Sequence, residues 1–104
     1  MHALIERVRD QIADICRRHG VTRLEVFGSA ARGTDFDPGR SDADFLVSFA
    51  PEAGYDFAGF ADLKEELEAL LGRPVDLVER AAVEESRNYL RRRRILSEAI
   101  PVYE

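Results

Sequence analysis

Three short stretches of this chain hold residue types that could do chemistry together. Gly28-Ser29 ends the apolar run Leu24-Glu25-Val26-Phe27, Asp42 and Asp44 stand two apart, and Asp76 lies inside Val75-Asp76-Leu77-Val78. A glycine at a strand end, followed by a serine that opens a helical turn, leaves backbone N–H groups facing outward. Together with the dipole of the turn they form an anion site suited to a polyphosphate. A side chain at Gly28 would hold the phosphate away from that backbone. Asp42 and Asp44, two apart on a strand, point to one face. Side by side they repel each other unless a cation sits between them. Oxygen-only ligands with no His or Cys nearby favour Mg²⁺ or Mn²⁺. A triphosphate cradle beside a divalent-metal platform equips a protein for phosphoryl or nucleotidyl transfer. Asp76 supplies a third acid, and its apolar neighbours give an aspartate there no packing reason. Burial beside two carboxylates is expected to raise its proton affinity and suit it to take a proton from an acceptor hydroxyl near neutral pH.

Each feature also has a plainer reading. Asp42-x-Asp44 alone describes a solvated strand face, Asp76 an edge-strand aspartate, and Ser29 a helix cap. Arg32 either clamps phosphate or pairs with an aspartate of the following loop. Gly28-Ser29 upstream, the apolar run after Asp44 and Asp76 further on favour the site over the solvated face.

The elements that must hold these residues follow from periodicity. Leu4, Ile5, Val8, Ile12, Ile15 and Cys16 form a helical stripe that ends before Gly20. Leu24 to Phe27 is a strand, residues 34–41 with Asp35, Asp37, Pro38 and Gly39 read as a loop, and Asp42 to Phe49 is a second strand. Phe60, Leu63, Leu67, Leu70 and Leu71 mark another helix, closed by Gly72 and Pro74. Val75 to Val78 is a third strand. A last helix is expected over roughly Val83 to Ala99, with Pro101-Val102-Tyr103 leaving it as an extended tail. This order predicts a small α+β, or α/β-like, layer structure.

The 104 residues fit one domain over 1–104. One cysteine, Cys16, excludes a disulfide framework and is expected in the core; His2 and His19 are expected at the surface. No apolar run reaches the ~18 residues of a membrane span, and the charged, amphipathic N-terminus argues against a signal peptide, so the expected location is the cytoplasm. The net charge of −5 lacks the basic excess of a phosphate-backbone binder. Arg91 to Arg94 invite a nucleic-acid reading, but consecutive helical residues spread around the axis, and Glu84, Glu85 and Glu98 share the segment. A solvated or partner-facing helix is the better expectation.

The motif Gly28-Ser29…Asp42-Ala43-Asp44, with Val75-Asp76-Leu77-Val78 and the ending Tyr89-Leu90-Arg91…Ile95-Leu96…Ala99-Ile100-Pro101-Val102-Tyr103-Glu104, resembles the minimal nucleotidyltransferases (MNT) of the DNA polymerase beta-type superfamily. More specifically it resembles the short MNT antitoxins paired with HEPN toxins, over nearly the whole chain. Twelve residues, Ala30 to Ser41, separate the two parts of the motif where the family most often has ten, and the extra length falls in the polar loop. The resemblance implies a polymerase beta-like core, a small mixed β-sheet packed against helices. It implies two-metal chemistry in which Asp42 and Asp44, with Asp76, hold Mg²⁺ or Mn²⁺. Gly28 and Ser29, with Arg32, would bind the phosphates of ATP, and Asp76 would align or deprotonate the acceptor. The acceptor it implies is a tyrosine of a partner HEPN ribonuclease, silenced by AMP. Two alternatives stay open: another acceptor such as a small molecule or RNA, and an antitoxin that neutralises by occlusion alone. A homo-oligomer or a hetero-oligomer with the toxin is compatible with either.

Overall fold

Alternation along the strands decides what this sheet can cover and what it must leave open. In the computed structural model, which describes residues 1–33 and 42–104, four strands pair in the order β3-β2-β1-β4. β1 (Val21–Phe27) is antiparallel to β2 (Ala43–Phe49) and to β4 (Ile100–Tyr103), whereas β2 is parallel to β3 (Val75–Glu79). The sheet is thus mixed, in keeping with the expected layer structure. The polar stretch 34–41, read above as a loop, lies outside the described residues.

One face carries Leu24 and Val26 of β1, Ala43, Phe45 and Val47 of β2, and Val75 and Leu77 of β3. They pack on Ile5 of α1 (Ala3–Arg7), Ile12 and Cys16 of α2 (Arg9–Arg18), and Leu63 and Leu67 of α4 (Phe57–Leu71). Burial among these side chains pushes the Cys16 thiol up to about 12, the signature of a core cysteine. The opposite face is smaller. Phe27 and Leu46 meet Val83 of α5 (Arg80–Glu84) and Ile95 of α6 (Tyr89–Glu98). A short helix, α3 (Ser29–Arg32), follows β1 directly. The parallel β2–β3 pair requires a long crossover, and α4 provides it. Asp56 caps α4 by accepting from the Gly59 N–H at 2.8 Å, and Gly72 ends it at φ 68°. Among the described residues no helix is long and apolar enough to cross a membrane.

Four expectations are corrected. The stripe from Leu4 to Cys16 is two helices, interrupted at Val8. The single helix expected over Val83 to Ala99 is also two. Asn88 accepts from the Arg91 N–H at 3.1 Å and Ser86 Oγ from the Asn88 N–H at 3.2 Å, so local side-chain bonds compete with helix continuation and start α6 afresh. The tail is β4, an edge strand on which Pro101 is tolerated, tied to α2 by Arg9 Nε donating to Val102 O at 3.0 Å. His19 is largely covered, its ring held between Tyr55 Oη and Glu66.

A buried charge fixes the smaller face. Glu25, 2% exposed, accepts from Arg80 Nη1 at 2.7 and 2.8 Å on its two oxygens, and Arg23 approaches at 3.4 Å. Arg80 is the first residue of α5, so this pair pins the helical layer to the sheet. Replacing Arg80 by Ala leaves the buried carboxylate with only the longer Arg23 contact and is expected to cost about 3 kcal/mol, near the lower end for a broken buried pair because Arg80 is partly exposed and Arg23 remains. Urea unfolding of Arg80→Ala measures it; Glu25→Gln, which leaves no stranded charge, should cost less.

Candidate active site

All three acids lie on the smaller face, at the end that α5 and α6 leave uncovered. Asp42 and Asp44 keep the two-residue phase of Leu46, and Asp76 that of Val78. Asp44 and Asp76 are direct register partners across the parallel β2–β3 pair, and Phe27 is the partner of Asp44 across β1–β2. The structure therefore brings Asp76 beside Asp44 although 32 positions separate them in sequence.

Gly28 makes the turn from β1 into α3. Its φ of 69° with ψ of −150° is a conformation that essentially only glycine adopts. A Cβ there would also stand 2.5 Å from Asp44 Oδ2. The backbone requires glycine here, and any larger residue would also push the Asp44 carboxylate aside. Beyond it, the first hydrogen bonds of α3 are donated by Ala31 and Arg32 to Gly28 O at 3.1 and 3.2 Å. The Ser29 and Ala30 N–H groups precede them, as the orphan donors of a helix start.

A cavity of about 240 Å³ opens at this point. Gly28, Ser29, Arg32 and Asp44 line one side, and Arg94, Ile95 and Glu98 of α6 line the other. Arg32 Nη1 donates to Glu98 Oε1 at 3.0 Å, so the arginine spans the cavity wall to a helix partner; the loop aspartates considered for it lie outside the described residues. A wider hollow of about 520 Å³ at the far end of β1, lined by Arg18, His19, Tyr55 and Asp62 among others, contains none of the predicted site residues. Arg94 and Glu98 escaped the sequence reading. Their only signal was the four-residue spacing that puts them on one helical face beside Ile95.

The electrostatics correct one expectation. Asp76 is exposed on the edge strand β3, so the burial expected for it falls instead on Asp44. The Asp44 carboxyl is pushed up to about 6, first by burial, then by the charges of Asp76 and Asp42, with Arg32 pulling the other way. Asp42 is exposed, and neither it nor Asp76 lines the cavity, which Asp44 alone of the three acids reaches. Among the described residues no three acidic, His or Cys side chains close into a metal cage. The donor set nevertheless fits a nucleotide-bound magnesium, which typically takes one or two carboxylates and completes its shell with phosphate oxygens and water. A cation bound between these carboxylates would relieve the repulsion that raises the Asp44 proton affinity.

The nucleotidyltransferase domain family matches residues 8–102. The chain belongs to that family. A Methanocaldococcus jannaschii protein that carries the name of protein adenylyltransferase MJ0435 is 36% identical over 98 residues, covering 94% of this chain and 97% of its own. The protein adenylyltransferase MntA of Thermococcus cleftensis is 41% identical over 70 residues, 67% of each. Among solved structures, one of a minimal nucleotidyltransferase aligns at TM-score 0.72 with 38% identity, over 97% of this chain and 96% of the other. The fold is also that of a Shewanella oneidensis MNT antitoxin structure, solved in complex with a tri-AMPylated HEPN toxin, at TM-score 0.63, 18% identity and coverage of 95% and 71%. This nucleotidyltransferase domain is therefore of the minimal kind, with the mixed sheet its motifs implied.

Two outcomes test the geometry. Because the folded-state pKa of Asp44 lies above the unfolded value, its ionisation opposes folding above about pH 6, and the penalty disappears below about pH 4. Asp44→Asn should therefore melt at or above the wild-type temperature at pH 8, with the difference shrinking toward pH 4; a lower melting temperature at pH 8 would mean that Asp44 holds the fold together. Gly28→Ala should lose about 2 kcal/mol in denaturant titration, from the forced positive φ and the collision with Asp44.

Proposed function

We propose that this domain is the antitoxin of a toxin–antitoxin pair and a protein adenylyltransferase, moving AMP from ATP to a tyrosine hydroxyl of a HEPN-type ribonuclease and so neutralising it. The observation that carries the reading is the convergence of Gly28-Ser29, Asp44 and Asp76 at one sheet end, in a chain whose relatives bear adenylyltransferase names. The solved MNT–HEPN complex, with its AMPylated toxin, supports the choice of partner.

In this reading Asp42 and Asp44, with Asp76, are the carboxylates that would hold Mg²⁺ or Mn²⁺. The ion would offset the charge of the triphosphate and of the departing pyrophosphate. The Ser29 and Ala30 N–H groups receive phosphate oxygens at the start of α3, where Gly28 lets them approach closely. Arg32, held toward the cavity by Glu98, adds a guanidinium to the same anion. The tyrosine oxygen attacks the α-phosphorus, the new O–P bond forms as the bond to the bridging oxygen of pyrophosphate breaks, and the phenolic proton passes to Asp76 or to water. The exposure of Asp76 on an edge strand suits that role, since the acceptor arrives from outside.

The test is co-expression with a HEPN-type protein encoded beside this chain, followed by intact mass and fragmentation. The expected result is AMP on a partner tyrosine, abolished when Asp42 and Asp44 are both replaced by Ala while the complex persists. A double variant that protects cells from the toxin as well as wild type does would show that occlusion suffices. AMP found on a different acceptor would replace the toxin as substrate.

A further inference from the structure

Two sets of arginines stand out among the described residues. Arg17, Arg18, Arg23, Arg32 and Arg80 each meet a carboxylate: Asp14, Glu66, Glu25, Glu98 and Glu25 in turn. Arg87, Arg91, Arg93 and Arg94 meet none among the described residues, and all four are exposed. They lie between Ser86 and Ser97, a stretch with five arginines and no acid in a chain of net charge −5. Arg92 is different: it donates to Ser86 O at 2.6 Å and lies 5.4 Å from the centre of the Tyr89 ring, bracing the start of α6.

The same turn exposes apolar surface. Tyr89 is 55% and Leu90 76% exposed, immediately before Arg91. Exposed Leu and Tyr beside unpaired Arg is the make-up of an interface anchor, with an apolar centre to desolvate and cations to set orientation. The position is as informative as the composition. α6 walls the cavity through Arg94, Ile95 and Glu98, and Arg91, three and four positions before Arg94 and Ile95, stands one turn along that same face, so the exposed start of the helix adjoins the cavity. Whatever docks there delivers its own groups to the acids.

We infer that the exposed start of α6, Leu90 with Tyr89 beside it and with Arg91 and Arg93 on either side, is the docking surface for the acceptor protein, and that it fits a partner with an acidic patch around an apolar pocket. The inference rests on the protein-acceptor reading above and adds where that acceptor binds. Charge complementarity selects the partner. Opposite charge steers encounter and fixes orientation, and Leu90 supplies the contact that ions alone do not. RNA fits less well: Asp44 and Glu98 line the adjoining cavity, Asp42 and Asp76 add their charge beside Asp44, and together they repel a phosphate backbone, while Leu90 gains nothing from one.

The test compares wild type, Leu90→Glu and the double charge reversal Arg91→Glu with Arg93→Glu, each titrated against the purified HEPN-type partner and separately against Mg²⁺–ATP. None of these side chains lines the cavity, so folding and nucleotide affinity should match wild type. Partner affinity should fall by about tenfold or more in each variant. KM for partner modification should rise while kcat at saturating partner is retained. The conservative double replacement Arg91→Lys with Arg93→Lys should keep most of the affinity, and wild-type binding should weaken as salt rises. Unchanged partner affinity in folded Leu90→Glu and in the charge reversal overturns the inference. So does binding of a labelled RNA that is lost in the charge reversal while partner affinity stays. If wild type binds the partner through this face yet transfers no AMP, the docking surface stands and the adenylylation reading fails.

Discussion

The crowding of Asp42 and Asp76 around a half-buried Asp44 is the constraint around which this domain is arranged. Asp44 and Asp76 are register partners on neighbouring strands, and Asp44 is half-buried with its carboxyl pushed up to about 6. Nothing in the packing gains from that crowding. It persists because the other face of the same strands over-determines the register. Ala43, Phe45 and Val47 alternate with the acids and are buried, as are Val75 and Leu77. A one-residue slip of β2 would drive two carboxylates into the core and bring Phe45 out into water. Core burial on one face therefore holds electrostatic strain in place on the other.

The smaller face is finished in a way that leaves the acids reachable. Glu25 and Arg80 tie α5 to the sheet, Val83 and Ile95 cover Phe27 and Leu46, and coverage stops short of the acids. α6 consequently meets two surroundings. Arg94, Ile95 and Glu98 wall the cavity, where Glu98 holds Arg32, and the start of the helix exposes Leu90 with Arg91 and Arg93 to solvent. The requirement for Gly28 belongs to the same arrangement, since the turn into α3 passes so close to Asp44 that a Cβ would displace the carboxylate.

Much of this was readable from sequence because it depends on near neighbours. The alternation of β2, the four-residue spacing of Leu63, Leu67 and Leu71 in α4, and the succession of Gly28-Ser29 after β1 are local patterns, and the structure places them as read. What was misread depends on partners far along the chain. The tail Ile100–Tyr103 becomes a strand only because β1 offers it an edge. Asp76 looks buried by its apolar neighbours, but β3 is an edge strand, a fact set by sheet order rather than by composition. His19 looks like a surface residue at a helix end until Tyr55 and Glu66 are folded against it. The division of the last helix turned on capping by Asn88 and Ser86, a weak signal inside a long polar run. Arg94 and Glu98 could not be tied to the site at all without knowing where α6 lies.

Whether a cation joins nucleotide to these crowded carboxylates is measured by calorimetric titration of ATP into the purified domain with Mg²⁺ and again in EDTA. Triphosphate and aspartates are all negative, so clear binding is expected with the metal, and affinity weaker by about tenfold or more without it. Equal affinity in the two conditions would contradict that expectation, because the phosphates would then be held without a cation between them and the acids.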